Sequence, residues 1–100
     1  MVRVLRLRPG HAPEVVEIAN SLDALQRAVG GHIEVLKVGD WLDLVMNEDG
    51  AHDLLGTLDG HSITGLALVV RKDETGELTD VTDDDVALVV ERFVPSKTMN

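Results

Sequence analysis

Asn20-Ser21-Leu22-Asp23-Ala24-Leu25-Gln26-Arg27-Ala28-Val29-Gly30-Gly31-His32-Ile33-Glu34 spells out a helix, its cap, its stop and the strand that follows. Leu22, Leu25 and Val29 fall at i, i+3 and i+7, which predicts one apolar stripe on a short helix. Asn20 or Ser21 can cap its start, and with an Asn20 cap Asp23 would sit near the first free amides, where a carboxylate is favoured. Gly30 or Gly31 can end the helix in the left-handed conformation, after which Ile33 opens an extended segment. This grammar fixes a local fold and no chemistry.

Outward toward the N-terminus the chain reads as a hairpin. Val2 to Leu7 is rich in branched residues and ends at the turn signal Arg8-Pro9-Gly10, and Glu14-Val15-Val16-Glu17-Ile18 follows as a second strand. Val16 and Ile18 share one face while Val15 and Glu17 share the other, as in a sheet covered on one side. In the first strand Leu5 and Leu7 oppose Arg6 and Arg8, and Val4 breaks the alternation.

Outward toward the C-terminus, Ile33 to Val38 and Trp41 to Met46 flank Gly39-Asp40, whose leading glycine suits a two-residue type II′ turn. Residues 47–65 contain four glycines and read as loop with at most one short apolar element around Leu54-Leu55. Leu66 to Val70 is a continuous apolar run, expected as a buried central strand. Asp73-Glu74-Thr75-Gly76 turns the chain, and Glu77 to Val81 pairs back. Thr82-Asp83-Asp84-Asp85 offers a capping box with Asp85 in place of the usual glutamate, and Val86, Val89, Val90 and Phe93 follow at helical spacing. Pro95 stops that helix, and residues 96–100 read as a frayed tail. No internal repeat is visible.

The pattern L-x-x-L-Q-x-x-V-G-G-x-I-E resembles a family of small domains of unknown function, encoded mainly by bacteriophages and bacterial mobile elements. Val15-Val16-Glu17-Ile18 and Leu44-Val45-Met46-Asn47-Glu48-Asp49-Gly50 match two further family positions, and Leu78-Thr79-Asp80 with Glu91-Arg92-Phe93 is similar to the family's last helix. His32 stands where members often carry an aromatic residue, and a Pro-Asn-rich loop after Gly50 is missing. The resemblance implies a genomic neighbourhood and a fold, with no established activity and no catalytic residue.

A chain of 100 residues is expected to form one domain, residues 1–95, burying roughly two-thirds of its unfolded surface. With 2% aromatic residues, Trp41 and Phe93 alone, valine and leucine must fill the interior and no platform for stacking bases exists. The formal net charge of -9 is lopsided, because residues 1–40 hold five acids and five bases and the whole excess lies in residues 41–100. That half would repel a phosphate backbone, so direct nucleic-acid binding is disfavoured. The chain has no cysteine, which excludes disulfides, thiol catalysis and thiolate metal sites. Neither a secretory h-region nor an apolar run of membrane-spanning length is present, so the expectation is a soluble, cytoplasmic protein with no membrane partner.

Seven acids fall between residues 73 and 85 with no base among them: Asp73, Glu74, Glu77, Asp80, Asp83, Asp84 and Asp85. Read functionally, they form an acidic face that docks on a protein with a basic surface. Read locally, Asp83 to Asp85 answer the dipole at a helix start and Asp73 and Glu74 solvate a turn. The segment lacks the EF-hand order of calcium ligands, and its exposed acids lack the apolar pocket that carboxylate catalysis needs. His11, His32, His52 and His61 show no metal-binding spacing, although His52, Asp53, Asp59 and His61 could converge across the glycine-containing loop. Phosphate cradles and nucleophile elbows have no motif here. Ser21 is explained as a helix start and Ser62 as loop polarity, which leaves an anion held by Arg3, Arg6, Arg8 or the first amides of the Leu22 helix as a minor alternative.

The expected architecture is α+β, an antiparallel or mixed sheet of about five strands with two helices packed on one face. The expected function is that of a small acidic, non-enzymatic binding or accessory protein of phage or mobile-element type, without catalytic residues, metal or cofactor. An exposed Trp41 or an uncovered strand edge could support a homodimer. A phage counter-defence protein, acting as a DNA mimic or as a sponge for a signalling nucleotide, is the alternative. An enzyme would need His52 or His61 joined to Asp53 or Asp59.

Overall fold

The computed structural model describes residues 1–49 and 54–96. Strand β1, Val2–Leu7, is followed by a tight turn in which the His11 amide donates to the Arg8 carbonyl at 3.2 Å and Gly10 has φ 74, the geometry of a type II turn with Pro9 leading. Strand β2, Glu14–Ile18, then returns antiparallel, with Val2 opposite Ile18 and Arg6 opposite Glu14. Helix α1, Leu22–Val29, is capped by Ser21, whose hydroxyl accepts from the Ala24 amide at 3.1 Å, and it stops at Gly30 with φ 84. Its buried residues are Leu25 and Val29, whereas Leu22, expected in the same stripe, is 59% exposed.

Strands β3, Ile33–Lys37, and β4, Leu42–Asn47, form the expected hairpin, but not through a two-residue type II′ turn. Gly39 does not take a positive φ, and the amides of Val38 and Gly39 both donate to the Leu42 carbonyl, at 3.0 and 3.2 Å. The longer connection leaves Trp41 outside the strand and 47% exposed while Leu42 enters the core.

The glycine-rich stretch read as loop holds a third hairpin. Strands β5, Leu54–Leu58, and β6, His61–Thr64, are joined by Asp59-Gly60, with φ values of 51 and 83. Two consecutive positive φ angles define a type I′ turn, whose twist suits paired strands, and Asp-Gly is among its preferred dipeptides. Strand β7 is Ala67–Lys72 and β8 is Leu78–Thr79. Helix α2, Asp83–Arg92, ends one residue before Phe93, which opens strand β9, Phe93–Pro95.

Among the described residues the strands form two antiparallel sheets. One has six strands in the order β2-β1-β7-β4-β3, with β8 also on β7, and the other has three in the order β6-β5-β9. The expectation of about five strands with both helices on one face is therefore corrected in two respects. Leu25 and Val29 of α1 pack with Val2, Val4, Val45, Leu68 and Val70. Val86 and Val89 of α2 pack with Leu5, Leu7, Leu44 and Val69, together with Leu55, Leu58 and Ile63 of the small sheet. Because neighbours in a strand point to opposite faces, these two clusters lie on opposite sides of the large sheet. The physical reason is that β4 is buried along its whole length and β7 through Val70, so both of their faces need apolar cover. Val4 breaks the alternation of β1 for the same reason: it faces α1 while Leu5 faces the small sheet.

Candidate functional site

The helix stop and the end of β4 meet in one junction. The Gln26 carbonyl accepts from the amides of Gly30 and Gly31, both at 2.9 Å. Asn47, 8% exposed, donates from Nδ2 to the Val29 carbonyl at 3.1 Å and accepts at Oδ1 from the Asp49 amide at 2.8 Å. Its amide thus satisfies a carbonyl that the helix end would otherwise leave without a partner. A Cβ on Gly31 would lie 3.0 Å from Asn47 Nδ2, so the bare backbone lets the amide approach. Asp23, Gln26, Arg27, Gly30, Gly31 and His32 line a hollow of about 420 Å³ beside the junction. Of these six, Asp23, Arg27 and His32 are ionisable, and none carries a hydroxyl or thiol.

The acidic segment divides by its partners. Asp73 Oδ1 accepts from the Thr75 hydroxyl at 2.5 Å, the Thr75 amide at 2.9 Å and the Glu77 amide at 3.1 Å, closing the β7–β8 turn. Asp80 Oδ1 accepts from the Arg3 amide at 2.8 Å, fastening the chain before α2 to β1. Asp85 is buried and completes the expected capping box: its amide donates to Thr82 Oγ1 at 3.1 Å and its Oδ2 accepts from the Thr82 amide at 2.8 Å. Its other oxygen holds Arg71 Nη1 at 2.7 Å. Glu74, Glu77, Asp83 and Asp84 are exposed.

The model of a domain of unknown function, DUF3846, matches residues 2–94. The chain belongs to the DUF3846 family. Comparisons with curated proteins and with solved structures found no match.

In this DUF3846 domain the bases are largely spoken for. Arg6 and Arg8 both reach Glu14, Arg27 lies 3.8 Å from Asp23, Lys72 is 2.7 Å from the buried Asp43, and Arg92 Nε donates to Asp59 at 2.9 Å. With Arg71 on Asp85, every described arginine and lysine except Arg3 and Lys37 is ion-paired. The Asp43–Lys72 and Asp59–Arg92 ties were not anticipated from sequence, and an acid inside an apolar strand such as β4 is the signal that marks the first. Asp59 leads the type I′ turn and is occupied by Arg92, His61 follows the turn, and His52 and Asp53 lie outside the described residues. Among the described residues no group of three or more His, Cys, Asp or Glu is placed to hold a metal ion, and no helix is long and apolar enough to cross a membrane.

Two carboxyl groups of the DUF3846 domain are held below their ordinary range. Glu14 is lowered by its hydrogen bond from Arg6 and by the Arg6 and Arg8 charges, and Asp73 by the Thr75 hydroxyl and the turn amides. A depressed carboxylate adds stability that is present above its unfolded pKa and is lost as pH falls through its folded pKa. Urea midpoints are therefore expected to drop on acidification from about pH 7 to about pH 3, with a shallower drop in the Glu14→Gln and Asp73→Asn variants. An acid limb as steep in both variants as in the parent would contradict these assignments.

Proposed function

We propose that this DUF3846 domain is a binding protein rather than an enzyme, and that it presents Glu74, Glu77, Asp83 and Asp84 to a protein with a basic surface. The observation that carries the reading is the distribution of partners: six of the eight described bases are committed to ion pairs, and these four carboxylates stand exposed with no cation of the described residues against them. Uncompensated charge of one sign extends a field over about one Debye length and accelerates encounter with an oppositely charged surface. The other three acids of the segment act within the fold, which narrows the seven-residue face read from sequence to four residues. In the phage or mobile-element setting implied by the family resemblance, a nucleic-acid-binding protein is the natural partner, its basic groove occupied in place of DNA phosphates. A nucleotide sponge is the weaker alternative, because a nucleotide's several phosphate charges call for a cluster of free cations and most of the described bases are held in ion pairs.

The test compares two neutralised variants for binding an arginine-rich peptide by calorimetry at low salt. Glu74→Gln, Glu77→Gln, Asp83→Asn and Asp84→Asn combined are expected to weaken binding by about tenfold, or about 1.4 kcal/mol. Neutralising four other exposed acids, Glu17, Glu34, Asp40 and Glu91, makes the same change in net charge and is expected to cost less than about threefold. Equal losses in the two variants would reduce the effect to net charge and overturn the assigned face.

A further inference from the structure

Arg6 and Arg8 share one carboxylate. Glu14 Oε1 accepts from Arg6 Nη2 at 2.8 Å and Nε at 3.1 Å, and it lies 2.7 Å from Arg8 Nη2. One acid between two guanidiniums leaves a positive charge over. In addition, Arg8 Nε is buried and has no hydrogen-bond acceptor among the described residues, while about a third of the Arg8 side chain stays exposed. Buried donors are almost always paired, so the orphaned nitrogen leaves the Arg8 guanidinium short of acceptors, and its exposed part is where a ligand could meet it.

Arg8 borders a cleft of about 240 Å³ between the Pro9–His11 turn on one side and Leu55, Phe93 and Pro95 on the other. An apolar hollow of about 320 Å³ continues from it over Pro13 and Val90, sharing His11, Phe93 and Pro95. Together they reach the size of small-molecule sites, which combine apolar walls with a few placed polar groups. In a chain with 18 acids, no aspartate or glutamate among the described residues lines either hollow. The local charge thus runs opposite to that of the molecule as a whole.

We infer that this cleft binds a small anionic ligand with an apolar body. The Arg8 guanidinium takes its carboxylate or phosphate head, and Leu55, Val90, Phe93 and Pro95 take its body. The site is independent of the acidic segment and of the partner proposed for it.

The experiment is an amide-resolved NMR titration of the intact chain with octanoate, octyl phosphate and octanol. The expected result is saturable shifts at Gly10, His11, Leu55 and Ser96 with at least one of the two anions, and about tenfold weaker binding of octanol. The tighter of the two anions identifies the head group. Arg8→Gln is expected to lose about tenfold toward the anion and nothing toward octanol. Octanol binding as tightly as both anions, shifts scattered away from the cleft, or saturation by neither anion would overturn the inference. These outcomes are read on the parent chain, so they stand even where Arg8→Gln fails to fold.

Discussion

Asp85→Ala is expected to destabilise the domain by about 3 kcal/mol, the lower end of the range for removing one partner of a buried ion pair. Three contacts disappear together. Arg71 loses the oxygen at 2.7 Å, the Thr82 amide loses its acceptor at 2.8 Å, and α2 loses one of the three carboxylates in its first turn. The lower end of the range applies because the Arg71 side chain is 30% exposed and can recover water when Asp85 is gone. The N-terminal cap alone is worth about 1 kcal/mol. The neighbouring Asp84 is exposed, so Asp84→Ala is expected to cost less than about 1 kcal/mol through the helix dipole. Urea unfolding with an unchanged slope gives both numbers. Equal midpoints for the two variants would mean that Asp85 belongs to the solvated face after all. The contrast also bears on function, since an Asp85 variant that fails to bind a partner reports on folding, whereas neutralising Glu74, Glu77, Asp83 and Asp84 removes no side-chain ion pair among the described residues and costs only helix-dipole stabilisation.

How much of this was legible in the sequence follows the range of the interaction concerned. Ser21 with Ala24, Gly30 with Gln26 and Thr82 with Asp85 each close within four residues, and the residue types alone announced the helix ends. Asp59-Gly60 closes a hairpin just as locally, yet four glycines in nineteen residues masked it, because the same residue marks a tight turn and an unstructured loop. The small sheet was harder still, since β9 joins β5 across more than thirty residues. The division of the helices between two faces was written in the Val4-Leu5 and Leu44-Val45 pairs, where adjacent apolar residues demand cover on both sides. For the acidic segment, composition showed the surplus but not its allocation. Asp80 finds Arg3 at a separation of 77 residues and Asp85 finds Arg71 at 14, and neither pairing has a local signature. Arg8 was named only as one of several possible anion ligands, and its unpartnered nitrogen emerges only once the β1–β2 turn is laid against β9.

Gly56→Ala is expected to be as damaging as the loss of Asp85, about 3 kcal/mol, by crowding rather than by loss of charge. A Cβ at Gly56 would lie 2.3 Å from the Val94 carbonyl oxygen and 2.7 Å from Phe93 Cζ. The carbonyl belongs to β9, paired to β5 with Gly56 opposite Pro95, so it cannot swing aside as a flexible side chain would. Relief requires β9 to move, and with it Phe93, which packs on the cluster of Leu55, Leu58 and Val89. For a domain of this length, each kcal/mol lowers Tm by about 4–8 °C. Gly60→Ala is the control: no atom lies within 4 Å of a Cβ there, and the cost is that of a left-handed φ alone, about 1 kcal/mol. Amide exchange should then separate the two sheets, with protection lost at Thr57 and Leu58 of β5 while Leu44 and Val69 of the large sheet keep theirs. Octanoate binding should weaken in the same variant, because Leu55, Phe93 and Pro95 wall the cleft. A Gly56→Ala protein no less stable than Gly60→Ala would show that β9 does not press on β5 as described, and the wall of the anion cleft would fall with it.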